Sequence, residues 1–485
     1  RFRALMDSHS EDLLEIIRSR GTQGQFVDYR CLPAQDALTS AWPEWIPTPV
    51  VSAWRHSGVD EPWLHQVQAL ESIHSRHDVV IATGTGSGKS LVAWTPILSD
   101  LVQADDSNRI SDIHRRPSCL YLSPTKALAA DQLHSLNRLV DGLEHDVALA
   151  LADGDTPREA KEWARANADI VLTNPDYLHY VMLPRHERWT RFLASLRYVI
   201  VDEMHQWRGV SGSHISLVLR RLLRIARHLG ADVQVIMMSA TLADPQSVAQ
   251  TMIGRENVNA ITDDTSGRGT HHIFMWESRE VPREEDVSID AFLSALRGAE
   301  AGEETVLEAP TQRLSAQTEA SLLCAELIRA NARLLTFVRS RGGAEAVAAQ
   351  TRDKLRDAPE LASTVAAYRG GFLPEERRTL ESALRSGRLR ALATTSALEM
   401  GIDISGLDVT ITAGWPGTRA SFWQQVGRSG RAGADGISVL IAGDNPLDSF
   451  LVHHSDEIFS PVEAAVLDPQ NPWVLRDHLC AAAAE

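Results

Sequence analysis

The chain has 485 residues, 44% hydrophobic and 23% charged, with 64 acidic against 48 basic side chains and a formal net charge of −16. That composition excludes disordered and fibrous classes, and no apolar run nears the roughly 20 residues of a membrane span. The acidic total excludes coating of nucleic acid by bulk charge, as a histone does it, but leaves room for a local basic groove.

Residues 1–60 hold one helix candidate, Glu11–Arg20, and a Trp/Pro-rich segment, Trp42–Trp54. They read as an N-terminal extension packed on the first domain. From Asp78 onward short apolar strands alternate with amphipathic helices. The strand candidates are Asp78–Ala82, Cys119–Leu122, Val147–Leu151, Ile170–Thr173, Tyr198–Val201 and Val233–Met238; Leu128–Val140 and Ser213–His228 have helical periodicity. Alternation at this spacing predicts parallel βαβ units and a doubly wound α/β sheet. The pattern lapses over Asp263–Gly269 and over Arg279–Thr305. It resumes with Leu334–Val338, Ser363–Tyr368, Leu389–Thr394, Val409–Thr412 and Ile437–Ile441. Two tandem α/β domains, 61–269 and 270–445, follow, and 446–485 reads as the start of a truncated accessory region. Cys31, Cys119, Cys324 and Cys480 show no CxxC spacing, and no basic stretch leads into an apolar core at the N-terminus. A reducing cytosol, without disulfides or an internal zinc site, is the expectation.

Three segments carry chemistry. Thr83-Gly84-Thr85-Gly86-Ser87-Gly88-Lys89-Ser90 follows a strand and precedes a helix. Its glycines let backbone N–H groups curl toward phosphate oxygens, and the helix N-terminus adds partial positive charge. Lys89 suits the β/γ-phosphates and the Ser90 hydroxyl suits Mg²⁺. Thr83 stands where Gly or Ala is usual, and a flexible Gly/Ser turn is the alternative. Next, Tyr198–Val201 runs into Asp202-Glu203-Met204-His205, two carboxylates at the sheet edge where such folds bind ligands. Asp202 is expected to hold Mg²⁺ and Glu203 to take the proton of an attacking water, unless the pair only caps a helix. Last, Gln424-Gln425-Val426-Gly427-Arg428-Ser429-Gly430-Arg431 puts Arg428 and Arg431 on one face if helical. Guanidinium groups suit charge developing on a transferring phosphoryl group. A solvated arginine-rich helix is the alternative, because only Lys89, Lys126, Lys161 and Lys354 among the 48 basic residues are lysine.

In this order the segments resemble the superfamily-two nucleic-acid helicases, over roughly residues 60–445. Ser123–Leu128 (SPTKAL) resembles motif Ia, Thr173–Asp176 (TNPD) motif Ic, Ser239-Ala240-Thr241 motif III, Phe337–Arg341 motif IV and Ala393–Ile404 motif V. DEMH, SALEMGIDI and the run Gly443–Asp448 are most similar to the bacterial MrfA and SftH helicases and their fungal RecQ-like relatives. That resemblance implies two RecA-like domains and an ATP-dependent 3′-to-5′ DNA helicase tied to repair, cytoplasmic and associated with the nucleoid. The family's C-terminal cysteine zinc cluster is not expected within these residues, where Cys480 stands alone; either the core is truncated or that domain lies beyond it.

Carried over residue by residue, the resemblance implies a catalytic set of Lys89, Asp202, Glu203, His205, Gln424, Arg428 and Arg431. It implies ATP contacts at Gln66, Thr83, Gly84, Thr85, Gly86, Ser87, Gly88, Lys89, Ser90, Gly401 and Asp403, with Mg²⁺ at Ser90 and Asp202. Nucleic-acid contacts fall at Pro124, Thr125, Lys126, Thr173, Asn174, Arg339, Arg341, Thr394 and Thr395, and coupling at Ser239 and Thr241. The partner is single-stranded DNA or a 3′-tailed duplex; an RNA helicase and a non-translocating clamp remain alternatives, because no residue reports a 2′-hydroxyl. The histidine pairs His271-His272 and His453-His454 read as structural or solvated. Trp163 and Trp189 read as packing residues, while Trp415 and Trp423 lie near the arginine segment.

Overall fold

The computed structural model describes residues 2–21, 24–108, 116–282, 311–369, 371–399, 407–430, 433–460, 462–463 and 465–485. In chain order the strands are β1 (Phe26–Leu32), β2 (Asp78–Ala82), β3 (Ser118–Leu122), β4 (Leu149–Leu151), β5 (Ile170–Thr173), β6 (Leu196–Val201), β7 (Gln234–Ser239) and β8 (Val258–Ile261). They continue with β9 (His271–Trp276), β10 (Glu280–Pro282), β11 (Thr311–Arg313), β12 (Leu334–Val338), β13 (Val365–Tyr368), β14 (Ala391–Thr394), β15 (Val409–Ala413) and β16 (Gly436–Ile441).

Strands β2, β3, β5, β7, β12, β14, β15 and β16 are buried along their whole length. A strand without a polar face must be covered on both sides, which is what helices on two faces of a parallel sheet provide. The first sheet has the order β4-β5-β3-β6-β7-β2-β8, all parallel. The second has the order β1-β9-β16-β15-β12-β14-β13 and is parallel except for β1, which runs antiparallel to β9. Parallel strands deliver all their carboxyl ends to one edge, so the loops after β2, β3, β5 and β6 share one rim and those after β12, β14 and β15 share another.

One sequence expectation is overturned. The N-terminal segment does not pack on the first domain as a unit. Leu13, Leu14 and Ile17, on the helix Phe2–Arg20, are buried with Phe274, Trp276 and Leu323 in the core of the second sheet, and β1 is that sheet's edge strand. Only the following stretch joins the first half, where Ile46, Val50 and Ala53 bury against Leu70, Trp94 and Leu98. Apolar spacing says that a helix buries one face; it does not say against which core. A second correction concerns Trp163, which is 47% exposed, whereas Trp189 is fully buried. Trp415 is buried beside Phe422, and Trp423 packs edge-on to Phe459. Among the described residues no helix is long and apolar enough to cross a membrane.

Candidate active site

The turn after β2 delivers Thr83–Gly88 to the rim, and the helix Lys89–Asn108 begins at its end. The Thr83 hydroxyl lies 2.6 Å from that of Ser87, a brace across the loop that Gly or Ala at that position could not supply. Lys89 Nζ donates to the carbonyls of Gly84 (2.8 Å) and Thr83 (3.0 Å). Gly88 has φ +65°, and a Cβ there would collide with Gln66 Nε2. Glycine is therefore required both for the backbone and for the close approach. Gln66 donates to the Gly88 carbonyl (2.9 Å) and accepts from Trp63 N–H (2.8 Å). Beside it opens a cavity of about 530 Å³ whose walls include Thr39, Trp54, Val59, Trp63, Gln66 and Ser90. Apolar and aromatic walls with one amide at hand are suited to a flat heterocycle.

At the end of β6, Asp202 is 8% exposed. It accepts from Glu203 N–H (2.8 Å) and from the Tyr121 hydroxyl, which reaches across from β3. Burial, with the Glu203 charge next to it, pushes the Asp202 carboxyl well above the usual carboxylate range, while Lys89 pulls it down. Burial also raises Glu203, against the opposing pull of Lys89 and Arg428. A buried carboxylate beside a second, partly exposed one calls for a cation. The hard oxygen donors available, the Asp202 carboxylate and Ser90 hydroxyl, suit Mg²⁺ completed by phosphate and water oxygens. Among the described residues no cluster of three or more His, Cys, Asp or Glu side chains could hold a metal on its own. Glu203 has φ +50°, ψ +45°, a left-handed conformation that is uncommon outside glycine. Such strain is held at functional sites by the surrounding structure.

His205 ties this rim to the second half. Its Nδ1 accepts from Ala240 N–H (3.2 Å) and lies 3.4 Å from Glu203 Oε2, so Nε2 carries the ring proton; the Gln424 side-chain amide lies 2.6 Å from Nε2 and pairs with it when its oxygen is turned to that proton. Burial holds the imidazole down to about 3, so it is neutral at ordinary pH. Gly427 approaches the phosphate loop as well: a Cβ on it would lie 3.1 Å from Thr85 Cβ. Gln425 donates to Glu399 (2.6 Å) and accepts from Thr412 (2.7 Å), and Arg428 donates to the Glu399 carbonyl. The structure thus brings together the phosphate loop, Asp202, Glu203, His205, Gln424 and Arg428 at one cleft. Gly401, Asp403 and Arg431 lie outside the described residues.

The expected nucleic-acid grips divide. Thr125 is exposed and caps the helix Lys126–Val140, and Lys126 is exposed and paired with Asp155 (2.7 Å). Pro124 and Thr395 are partly exposed and Arg341 is exposed. Arg339, half exposed, is aimed by Asp448 (2.9 Å) and by the Trp415 carbonyl (2.8 Å). Thr173 and Thr394 do not fit the expectation: both side chains are fully buried, with their hydroxyls donated to the carbonyls of Ala152 and Thr395. Each ends a central strand, where the pleat turns the side chain into a covered face. Asn174, 8% exposed, caps the turn at Tyr177. Ser239 is buried and Thr241 exposed. Sequence reasoning passes over Tyr121 and gives no role of their own to Glu399 and Asp448, which lie within the segments Ala393–Ile404 and Gly443–Asp448. Only Asp448 had a local signal, as the residue three after Asn445 in a helix-opening Asn-Pro.

Residues 63–249 match the DEAD/DEAH box helicase family and residues 319–433 the helicase conserved C-terminal domain. The uncharacterized ATP-dependent helicase YprA of Bacillus subtilis is 33% identical over 478 residues, covering 98% of this chain and 59% of YprA. The ATP-dependent helicase HRQ1 of Saccharomyces cerevisiae is 32% identical over 432 residues, covering 87% of this chain and 37% of HRQ1. The crystal structure of the DUF1998 helicase MrfA bound to DNA and AMPPNP superposes with a TM-score of 0.84 at 31% identity, covering 97% of this chain and 61% of that one. The chain thus spans less than two thirds of the length of each of these relatives.

Proposed function

From the premise that this chain belongs to the DEAD/DEAH-box helicases of superfamily two, we propose that it is the motor of an ATP-dependent DNA helicase moving 3′ to 5′. The observation that carries the reading is the cleft itself, where His205 and Gln424 meet at 2.6 Å and Gly427 abuts Thr85, with the Arg428 charge acting on the Glu203 carboxyl.

In this mechanism the base of ATP enters the cavity beside Trp63 and Gln66, and its phosphates lie along Thr85–Ser90. Lys89 leaves the carbonyls of Thr83 and Gly84 for the β/γ-phosphates. Ser90 and Asp202 would hold Mg²⁺, which would neutralise charge on the phosphate oxygens. Glu203 takes the proton of the attacking water, a role that its raised pKa suits. Arg428, with Arg431, stabilises charge on the transferring group from the facing half. ATP favours the closed arrangement because both halves contact it, and product release removes that attraction. Thr125, Lys126, Asn174, Arg339, Arg341 and Thr395 line the two rims as phosphate grips that alternate with closure. Local grips of this kind suffice in a chain of charge −16.

We extend the proposal to a cytoplasmic role in repair, and to a division into halves near residue 270. The decisive assay is strand displacement on 3′-tailed and 5′-tailed duplexes, beside ATPase stimulation by single-stranded DNA and RNA. Displacement confined to 3′ tails, with DNA the better stimulator, is expected. ATPase without displacement on either substrate refutes the helicase reading in favour of a clamp.

A further inference from the structure

The chain passes between its two sheets at 33–47, from β1 to the helix Thr48–His56, and again at 262–270, from β8 to β9. These two crossings run side by side. Gln35 and Arg268 form an antiparallel bridge (2.9 and 3.0 Å), and Leu38 N–H donates to the Thr265 carbonyl (3.0 Å). The Leu38 carbonyl in turn accepts from Leu64 N–H (2.8 Å), next to the base cavity that Thr39 helps to wall.

The second crossing is fastened to the phosphate loop at two points. Asp264 Oδ2 accepts from Gly84 N–H (3.0 Å); its Oδ1 is held by Ser266 N–H (3.0 Å) and hydroxyl (2.6 Å), and its carbonyl by Gln35 Nε2 (2.8 Å). His65 is fully buried between the crossing and the loop. Its Nδ1 accepts from Thr265 N–H (3.2 Å), which leaves the proton on Nε2 to be donated to the Ser87 carbonyl (3.0 Å). Its own N–H donates to the Thr265 hydroxyl (3.1 Å). A buried neutral imidazole with both ring nitrogens engaged acts as a rigid spacer: displacing Ser87 displaces Thr265.

We propose that the paired crossings are a nucleotide-reading hinge, in which Asp264 and His65 are positioning residues that transmit the shape of the phosphate loop to the joint between the halves. The inference rests on the ATPase reading of the cleft and adds a path by which loop occupancy reaches the second half apart from the His205–Gln424 contact. Buried, directional bonds of this kind carry coupling only when both ends move together. Here one end is the phosphate loop and the other is one of the chain segments that join the two sheets.

The test compares wild type, Asp264→Ala, Thr265→Val and the conservative Asp264→Asn, which keeps an acceptor oxygen. Titration with a fluorescent ADP analogue and Mg²⁺ gives affinity, and hydrogen exchange follows the amides of Gln35, Leu38, Thr265 and Arg268. In wild type, MgADP is expected to slow exchange in both crossings about tenfold. Asp264→Ala and Thr265→Val should bind ADP within about threefold of wild type yet lose most of that slowing, with Asp264→Asn restoring it. If ADP binds wild type and the crossings do not respond, or the variants respond as wild type does, the hinge inference is overturned and the ATPase reading stands. If ADP does not bind wild type at all, the reading of the cleft falls and the inference with it.

Discussion

The contact between His205 and Gln424 can be measured by a double-mutant cycle. His205 and Gln424 are 5% and 3% exposed, and their side chains meet at 2.6 Å across the cleft. With the imidazole held down to about 3, the contact is between neutral groups at any working pH. A buried neutral hydrogen bond has a net worth of about 1 kcal/mol. Gln424→Ala leaves the His205 Nε2–H beside the Gln206 side-chain amide, 2.9 Å away, which can offer its oxygen instead, so it should lower nucleic-acid-stimulated kcat/KM only about five- to tenfold. His205→Ala also strips the acceptor from Ala240 N–H and should cost more, about 30-fold. The double variant should be no worse than His205→Ala by more than about twofold, which leaves an interaction energy near 1 kcal/mol. Fully additive losses, with no interaction energy beyond about 0.3 kcal/mol, would refute the reasoning that this contact couples the halves.

Glu203→Gln is expected to bind ATP and close the cleft while losing a factor of about 10² or more in turnover, and wild-type hydrolysis would remove it as the base. His205 also sets a pH dependence: its folded pKa, about 3, lies below the ordinary value of 6.5, so the unfolded chain binds the extra proton between them. Its contribution to stability is complete above about pH 6.5 and shrinks by about 1.4 kcal/mol per unit as the pH falls toward 3, so denaturant midpoints of His205→Gln should fall less steeply with acid than those of wild type. Ile17→Ala empties a fully buried site against the second sheet and should cost about 2–4 kcal/mol, read as earlier proteolysis of the second half; selective loss of the first half would contradict the packing described here. Asp448→Ala removes the acceptor for Trp415 N–H, Gly443 N–H and Arg339 together, and about 3 kcal/mol of stability should go with it in chemical denaturation.

The phosphate loop was legible because its chemistry is local: a strand end, three glycines, a lysine and a serine in eight residues force the turn before any tertiary contact forms. Strands such as β2, β5 and β12 were equally plain, since short, mostly apolar runs that alternate with helical patterns point to a sheet covered on both faces. β1 and β9 escaped notice because they mix polar and apolar residues: Asp28 and Arg30 interrupt one, and His271-His272 opens the other. The lapse at Asp263–Gly269 was visible as a break in the pattern, but a run of Asp, Thr, Ser and Gly reads as a linker whether or not it is bonded to anything.

The amino-acid sequence by itself determined the two α/β halves and the order of their motifs, along with the residue types able to hold phosphate, cation and water. Tertiary structure alone decided which half receives the N-terminal helix, and that Thr173 and Thr394 face inward while Thr125 and Arg341 face out. It alone brought His205 to Gln424, and Asp264 and His65 to the phosphate loop. The physical reason is range. Backbone propensity and apolar periodicity act over a few residues, so they are written in the local sequence. A hydrogen bond between positions 205 and 424 exists only after two sheets have folded and met.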